Sequence, residues 1–337
     1  MKVVLAGCGR IAHTWMDTIK KIPELELVGF MDIDIEAAKS YKEQYQMDNA
    51  VIGNDISEVL KNTNPNIVFD CTAPVGHKNI TITSLEHGCH VLGEKPIAET
   101  FQDAKEMVET SQKTGKLYAV MQNRRYEKEI RSLKNFIRSG EIGDLTTLNC
   151  DFYLGAHFGG FRDHMRHVLL IDMAIHTFDQ ARLISGADPV SVYCHEWNPK
   201  GSWYDHDASA VCIFEMTDGI VYTYRGSWCS EGCNTTWESD WRAICTKGSV
   251  LWDGQKDFKA QQVANDEGFI RKLNDIDIKI DENEKSGGHD CCIREFIECV
   301  KNNTIPETIC TDNIKSLAMC FAAVESAETG KKVEIKI

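Results

Sequence analysis

The sequence predicts two domains of different class. The first is an α/β domain built on a doubly wound parallel sheet, and the second is an α+β domain with an open-faced, mainly antiparallel sheet backed by helices. Strand-like and helix-like segments alternate in the first part of the chain, which is typical of a parallel sheet covered on both faces. From about residue 145 long strands follow one another with short turns. The 337 residues suffice for about two domains, which we place at residues 1–125 and 126–337.

The N-terminal elements follow from short apolar runs separated by amphipathic segments. The predicted strands are Val3–Ala6, Leu25–Met31, Ile67–Cys71, His90–Leu92 and Leu117–Met121. The predicted helices are Ile11–Ile22, which ends at Pro23, then Ile56–Lys61, Lys78–His87 and Phe101–Thr114.

The C-terminal elements begin with one strongly apolar helix, Val168–Ile184. The predicted strands are Val190–Trp197, Ser209–Met216, Ile220–Trp228, Trp237–Thr246 and Ser249–Trp252. Thr217-Asp218-Gly219 is a good hairpin turn between two of them. Two more helices are expected at Cys291–Asn302 and Ile314–Thr329, after an exposed polar loop at Asp281–Asp290.

Composition excludes several classes of function. The net charge of −14 argues against a nucleic-acid partner, because such proteins neutralise phosphates with Lys and Arg. No segment approaches the ~20 apolar residues of a membrane span. The fourteen scattered cysteines, without an export signal, predict reduced thiols in the cytoplasm. Cys229 and Cys233 have no second pair at matching spacing, so no metal is expected.

A glycine-rich turn joins the first predicted strand to the first helix. Its residues, Gly7-Cys8-Gly9-Arg10-Ile11-Ala12, form a G-x-G-x-x-A pattern in which Gly7 permits a tight turn and Gly9 lets a pyrophosphate approach the backbone. Asp32 closes the second strand, where a carboxylate accepts hydrogen bonds from ribose hydroxyls and repels a 2′-phosphate. Because residues 33–35 contain no cation, the pattern predicts a Rossmann domain that binds NAD rather than NADP.

Two further segments place polar residues where chemistry is expected. Glu94-Lys95-Pro96 follows a strand at the carboxyl edge of the sheet, where open α/β folds bind ligands. Asp172 and His176 lie at i and i+4 on an otherwise apolar helix, so they share one face of a buried helix. Buried carboxylates and imidazoles must be paired or used. The helix alone is equally compatible with a structural Asp–His pair and with a catalytic one.

Together these residues resemble the glucose–fructose oxidoreductase / inositol dehydrogenase / MocA-like (Gfo/Idh/MocA) oxidoreductases over nearly the whole chain. The other segments that carry the resemblance are Thr72-Ala73-Pro74…His77, Asn123-Arg124-Arg125-Tyr126, Ser139-Gly140-Glu141-Ile142-Gly143 and Asp179. The resemblance implies that Lys95, Asp172 and His176 are catalytic. It implies a cofactor site made of Gly7, Gly9, Arg10, Ile11, Asp32, Thr72, Ala73, Pro74, His77, Glu94 and Lys95. It also implies a homodimer or homotetramer.

The implied activity is NAD-dependent oxidation of a secondary ring hydroxyl of a sugar, glycoside or cyclitol to the ketone. In this hypothesis His176 takes the hydroxyl proton, Asp172 orients it, and Lys95 stabilises the developing alkoxide. One alternative is a redox glycoside hydrolase, in which bound NAD oxidises the sugar transiently and β-elimination releases the aglycone. Others are an inositol dehydrogenase and a non-catalytic nucleotide sensor, although a sensor needs no buried proton-transfer set.

The substrate site departs from the family at one place. Many relatives carry a glycine triplet six to four residues before the helix Asp, where this chain has Arg166-His167-Val168. Larger donor side chains there favour a glycoside or larger sugar over free myo-inositol. Five tryptophans lie on or beside the second-domain strands and suit sugar stacking or sheet packing: Trp197, Trp203, Trp228, Trp237 and Trp241. The predicted substrate contacts are Arg124, Arg166, His167 and Trp228.

Overall fold

The computed structural model describes residues 1–282 and 284–337. Its contacts divide the chain into two units. The first unit comprises Met1–Asn123 and Gly287–Ile314, and the second comprises Arg124–Ser286 and Lys315–Ile337. The sequence predicts a single boundary at residue 125/126, whereas in the structure the segment 287–314 is grouped with the N-terminal residues.

The helices and strands are numbered in chain order. The helices are α1 (Ala12–Ile19), α2 (Ile35–Gln44), α3 (Ile56–Thr63), α4 (Pro74–Glu86), α5 (Phe101–Thr114), α6 (Lys128–Arg138), α7 (Ala174–Ser185), α8 (His289–Asn302) and α9 (Cys310–Thr329). The strands are β1 (Lys2–Ala6), β2 (Glu26–Met31), β3 (Val51–Gly53), β4 (Ile67–Asp70), β5 (His90–Gly93), β6 (Tyr118–Val120), β7 (Leu145–Tyr153), β8 (Pro189–Trp197), β9 (Ser209–Met216), β10 (Val221–Ser227), β11 (Asp240–Cys245), β12 (Gly248–Trp252), β13 (Phe258–Val263), β14 (Leu273–Ile276) and β15 (Val333–Glu334).

The first unit is built on a six-stranded parallel sheet in the order β3-β2-β1-β4-β5-β6. β1 lies at its centre, and Val3–Leu5 are fully buried, as the apolar run predicted. The strand order reverses between β1 and β4, which is where doubly wound sheets bind ligands. The predicted fold class of the N-terminal domain is confirmed.

Side-chain caps define where several of these helices begin. Asp55 accepts a hydrogen bond from Glu58 N (3.1 Å) at the start of α3, and Thr100 accepts one from Asp103 N (3.1 Å) at the start of α5. The sequence predicted both helices. It missed α2, which Asp34 caps, and β3, which is three residues long and too short for a period-2 pattern.

The second unit contains a nine-stranded mixed sheet in the order β14-β13-β12-β11-β7-β10-β9-β8-β15. Neighbouring strands are antiparallel except β7 and β10, which are parallel. One face packs on α7, where Phe178 lies edge-on against Phe214 (4.9 Å between ring centroids). Cross-strand partners Tyr193 and Ile213 are exposed. The predicted open-faced, mainly antiparallel sheet is confirmed.

The predicted helix Val168–Ile184 is split in two. Leu169–Met173 forms a π-helical turn, and the regular helix α7 begins only at Ala174. Asp172 therefore lies in the wide turn and His176 in α7, so the regular spacing assumed from the sequence does not apply between them. Such π turns interrupt the α-helical hydrogen-bond pattern and are frequent at functional sites.

The segment expected as an exposed loop, Asp281–Asp290, includes Asn283, which lies outside the described residues. Its flanking carboxylates form ion pairs with α6: Glu282 with Lys128 and Glu284 with Arg131, both at 2.6 Å. In the described part of the chain, which contains all fourteen cysteines, the structure has no disulfide. Within residues 1–282 and 284–337, we found no helix with the length and apolar character needed to cross a membrane.

Candidate active site

The turn between β1 and α1 packs against the loop that follows β4. Gly7 has φ +87°, and an added Cβ would lie 2.5 Å from the backbone of Cys71 and Thr72. A Cβ added at Gly9 would have no heavy atom of the described residues within 4 Å. Gly7 therefore allows two backbones to approach closely, while Gly9 leaves the open side of the turn bare.

Asp32 holds this turn in place. Its Oδ2 accepts a hydrogen bond from Cys8 N (2.6 Å), and its Oδ1 accepts one from Asp34 N (2.9 Å). A carboxylate has about four acceptor positions, so it retains capacity for ribose hydroxyls. The residue after Asp32, Ile33, is exposed and uncharged, which fits the preference for NAD over NADP predicted from the sequence.

The two helices that follow β1 and β4 fit a dinucleotide. In the described part of the chain no side chain caps the start of α1 or the start of α4, which begins at Pro74 after Ala73. The positive end of the helix dipole at a helix N-terminus favours anions. Because both helices follow parallel strands, both begin at the carboxyl edge of the sheet. With the bare side of Gly9, this edge fits a pyrophosphate, and NAD bound there would supply a hydride acceptor.

The loops after β4 and β5 are tied to each other. His77 contacts two backbone oxygens, that of Pro96 through Nδ1 and that of Thr72 through Nε2, each at 2.9 Å. Thr72 also donates from its hydroxyl to Asp70 (2.6 Å), a buried carboxylate that the sequence analysis did not select. Thr72 and His77 therefore shape the edge at which the cofactor is expected.

The Glu94-Lys95-Pro96 segment follows β5. Trp15 Nε1 donates to Glu94 Oε1 (2.7 Å), and His289 Nε2 of α8 lies 3.6 Å from the same oxygen. Burial raises the pKa of Glu94, but the contacts with His289 and Trp15 outweigh it and lower that pKa overall. Lys95 is half-buried and precedes a cis-proline. Glu94 thus anchors the segment, and Lys95 lies at its end.

Asp172 is engaged by an arginine that the sequence analysis did not select. Arg162 Nε donates to Asp172 Oδ2 (2.6 Å) and its Nη2 to Oδ1 (3.4 Å). The Asp172 side chain is 14% exposed, and His176 is buried in α7. Arg162 lies ten residues earlier in a separate short 3-10 helix, Gly160–His164, so this pairing could not be inferred from helical spacing.

Asp179, the third polar residue of the helix, is buried and paired with other buried side chains. Arg125 donates to both of its carboxylate oxygens (2.5 and 2.8 Å), and Ser316 donates to Oδ1 (2.8 Å). All three residues are buried. A buried, fully paired carboxylate of this kind fixes α7 against its neighbours.

The predicted substrate residues occupy different environments. Arg124 forms an ion pair with Glu238 (3.2 Å), contacts the carbonyl oxygen of Trp237 and lies 5.7 Å from its ring centroid. Burial lowers the pKa of Arg124, and the negative charge of Glu238 partly opposes that decrease. Arg166 is exposed. Trp228 is 1% exposed, so its indole face is covered by protein.

An aromatic cluster that we define as Phe158, Phe161 and Trp237 is exposed beside the Arg162–Asp172 pair. Phe158 and Trp237 are each 45% exposed, with ring centroids 6.2 Å apart. The Arg162 guanidinium lies 5.1 Å from the ring centroid of Phe158 and 4.7 Å from that of Phe161. Trp228 packs behind Phe158 at 5.2 Å. Among the described residues, no group of three or more His, Cys, Asp or Glu could hold a metal.

Comparisons with known proteins agree with this arrangement. Residues 1–122 match a family model described as an oxidoreductase family with an NAD-binding Rossmann fold, and residues 130–251 match the GFO/IDH/MocA C-terminal domain. The chain is 24% identical to an inositol 2-dehydrogenase of Arthrobacter sp., covering 100% of this chain and 96% of that protein. It is 28% identical to the D-glucoside 3-dehydrogenase of Escherichia coli over 60% of this chain and 59% of that protein.

Solved structures share the fold. An oxidoreductase from Agrobacterium radiobacter, crystallised with NAD+, L-tartaric acid and magnesium, superposes with a TM-score of 0.85 at 20% identity and covers 99% of this chain and 98% of that one. The glycine turn, the strand order and both domain models lead to one conclusion. This chain belongs to the GFO/IDH/MocA oxidoreductase family, with an NAD-binding Rossmann domain at its N-terminus.

Proposed function

We propose that the protein oxidises a secondary ring hydroxyl of a sugar, glycoside or cyclitol to the ketone, with NAD as the hydride acceptor. The observation that carries this proposal is the neighbourhood of Asp172. A partly exposed carboxylate lies beside the exposed aromatic cluster, and aromatic faces stack on the C–H faces of sugar rings. Relatives named for action on glucosides and inositol support a carbohydrate or cyclitol substrate.

Three residues have distinct roles in the proposed reaction. His176, as a neutral imidazole, accepts the proton of the substrate hydroxyl. Asp172, held by Arg162, orients His176 in this proposal and keeps a negative charge at the site. Lys95 is proposed to stabilise the charge that develops on the hydroxyl oxygen. Burial of His176 disfavours the imidazolium that forms when it takes the proton, so the proposed role relies on the negative charge of Asp172 to offset that cost.

Substrate binding is proposed to use side chains of the second unit. Arg124 keeps guanidinium N–H groups near the aromatic cluster, where they can donate to sugar hydroxyls. Arg166 offers an exposed donor at the position of the relatives' glycines. Trp228 contributes indirectly, because its buried indole packs against Phe158 and supports that ring. We propose that the substrate is a glycoside rather than free myo-inositol, because the aromatic cluster offers a larger apolar surface than a single hydroxylated ring would cover.

A substrate panel tests the proposal. Methyl glycosides, free hexoses and myo-inositol are incubated with the protein and NAD, and formation of NADH is followed by its absorbance. We expect oxidation of at least one glycoside, and less activity with NADP. Activity on none of these compounds would refute the proposal. Release of an aglycone without net NADH would replace it with the redox hydrolase.

The open face of the nine-stranded sheet supports a proposed homodimer or homotetramer. Tyr193 and Ile213 are paired across β8 and β9 and exposed together, and Ile244 is exposed on β11 of the same sheet. Neighbouring exposed apolar side chains of this kind mark protein–protein interfaces. Sedimentation should give a mass of two or four times 38.0 kDa. A monomer at micromolar concentration would contradict this proposal.

A further inference from the structure

His167 has a carboxylate at each ring nitrogen. Nδ1 lies 2.6 Å from Glu196 Oε2 on β8, and Nε2 lies 3.5 Å from Glu328 Oε1 on α9. The side chains of His167 and Glu196 are 16% and 2% exposed. A carboxylate oxygen only accepts, so both contacts are satisfied together when both ring nitrogens carry protons. The geometry therefore favours an imidazolium.

The backbone of His167 begins the segment that carries Asp172. Its carbonyl oxygen accepts a hydrogen bond from Ile171 N (3.0 Å), at the start of the π turn. Its φ is +54°, in the left-handed region that a residue with a Cβ rarely adopts. Such a conformation persists where the surroundings fix it, and it is common at functional sites. Here the two carboxylates provide that fixation.

The charges around this pair are few. Glu196, Glu328 and the neighbouring Arg166 act on His167, while Asp207 and Glu328 act on Glu196. The hydrogen bond that His167 donates to Glu196 raises the pKa of His167. Burial raises the pKa of Glu196, and its Oε1 has no hydrogen-bond partner among the described residues. The ionised Glu196 therefore depends on the imidazolium.

The sign of the pH effect follows from these directions. Because the pKa of His167 is raised in the folded protein, its contribution to stability is fully present below the ordinary histidine pKa. That contribution is lost as pH rises through the raised pKa. The contact between His167 and the two carboxylates should therefore weaken as pH rises through that raised pKa, above the ordinary histidine value.

We propose that His167 is a positioning residue: clamped between Glu196 and Glu328, it fixes the start of the π turn and thereby the placement of Asp172. The effect on catalysis rests on the proposed function of Asp172 and His176. The clamp itself rests only on the contacts of the second unit. This role differs from the direct substrate contact predicted from the sequence, because both ring nitrogens face carboxylates of the protein.

Kinetics across neutral and alkaline pH test the proposal. The full-length protein with NAD is compared with His167→Gln and Glu196→Gln, using the best substrate of the panel. We expect the wild-type kcat to fall as pH rises through the raised pKa and His167 loses its proton, a decrease that we call the alkaline fall. His167→Gln should lower kcat by about tenfold at neutral pH, through misplacement of Asp172, and should abolish this alkaline fall. The KM for NAD should not change. A His167→Gln protein with the wild-type kcat and the same alkaline fall would overturn the proposal.

A titration of labelled histidine by NMR separates the clamp from the reaction. His167 should titrate above the ordinary histidine pKa in the wild type and at lower pH in Glu196→Gln. If His167 titrates in this way but no sugar is oxidised, the contacts of His167 with the two carboxylates are supported and the proposed function is refuted. Titration at the ordinary value in both proteins would overturn the clamp, even if a sugar is oxidised.

The single variant His167→Gln leaves the buried Glu196 carboxylate without its cation, so it could fail to fold. The double variant His167→Gln/Glu196→Gln removes both charges of the close pair and covers that outcome. We expect it to fold with the same lowered kcat. A folded double variant with the wild-type kcat and alkaline fall would overturn the positioning role.

Discussion

Replacing each glycine of the cofactor turn by alanine should have two different effects. At Gly7 the added Cβ would lie 2.5 Å from the carbonyl carbon of Cys71 and the amide nitrogen of Thr72. Both are backbone atoms, which cannot rotate away. At Gly9 the added Cβ would meet no described heavy atom within 4 Å. Gly7→Ala should therefore damage folding, while Gly9→Ala should leave it intact.

The magnitudes follow from the geometry. With φ at +87°, Gly7→Ala carries a left-handed penalty of about 1–2 kcal/mol. The steric overlap adds about 1–3 kcal/mol, as for overpacked cores. Together they should reduce the free energy of unfolding by about 2–5 kcal/mol, measured by urea denaturation. Gly9→Ala should change that free energy by less than about 0.5 kcal/mol.

NAD binding completes the comparison. In Gly9→Ala the methyl group occupies the space where a pyrophosphate approaches the backbone, so calorimetry should show about tenfold to hundredfold weaker binding of NAD. The result that would refute this reasoning is a Gly7→Ala protein with the wild-type free energy of unfolding, or a stable Gly9→Ala protein with unchanged NAD affinity.

Three further substitutions probe the two halves of the site. Asp32→Ser should raise the KM for NAD about tenfold or more and narrow the preference over NADP, because the carboxylate that repels the 2′-phosphate is gone; unchanged NAD and NADP kinetics would contradict this. Arg162→Ala should lower kcat/KM about tenfold by releasing Asp172, whereas Arg271→Ala, at an exposed ion pair, should have no effect. Phe158→Ala should raise the KM for a glycoside about threefold to tenfold by removing a stacking surface, and leave that for NAD unchanged.

The cofactor half was predictable from the sequence because its determinants are local. Gly7 and Asp32 directly follow the ends of β1 and β2, and Gly9 lies two residues after Gly7. Both strands can be recognised in the sequence as apolar runs. The topology that returns residues 287–314 to the first unit was not predictable. The sequence of α8 does not show which of the two sheets the helix covers, because an amphipathic helix of this kind can pack against either sheet.

The substrate half was less predictable because its determinants are tertiary. From the sequence, Trp228 suited either sugar stacking or sheet packing, and only the fold shows that it is buried behind Phe158. Arg162 reaches Asp172 from a separate 3-10 helix, Gly160–His164. The π turn also breaks the 3.6-residue period on which the expected face of Asp172 and His176 was based.

The most direct test of the central claim is the turnover of His176→Ala with the best substrate of the panel and NAD. The account predicts a kcat lower by about 10²- to 10⁴-fold, since the variant lacks the group that accepts the hydroxyl proton. The Kd for NAD, whose proposed contacts lie in the first unit, should stay within about twofold, and the protein should remain folded. A folded His176→Ala protein that forms NADH at nearly the wild-type rate would contradict the proposed mechanism.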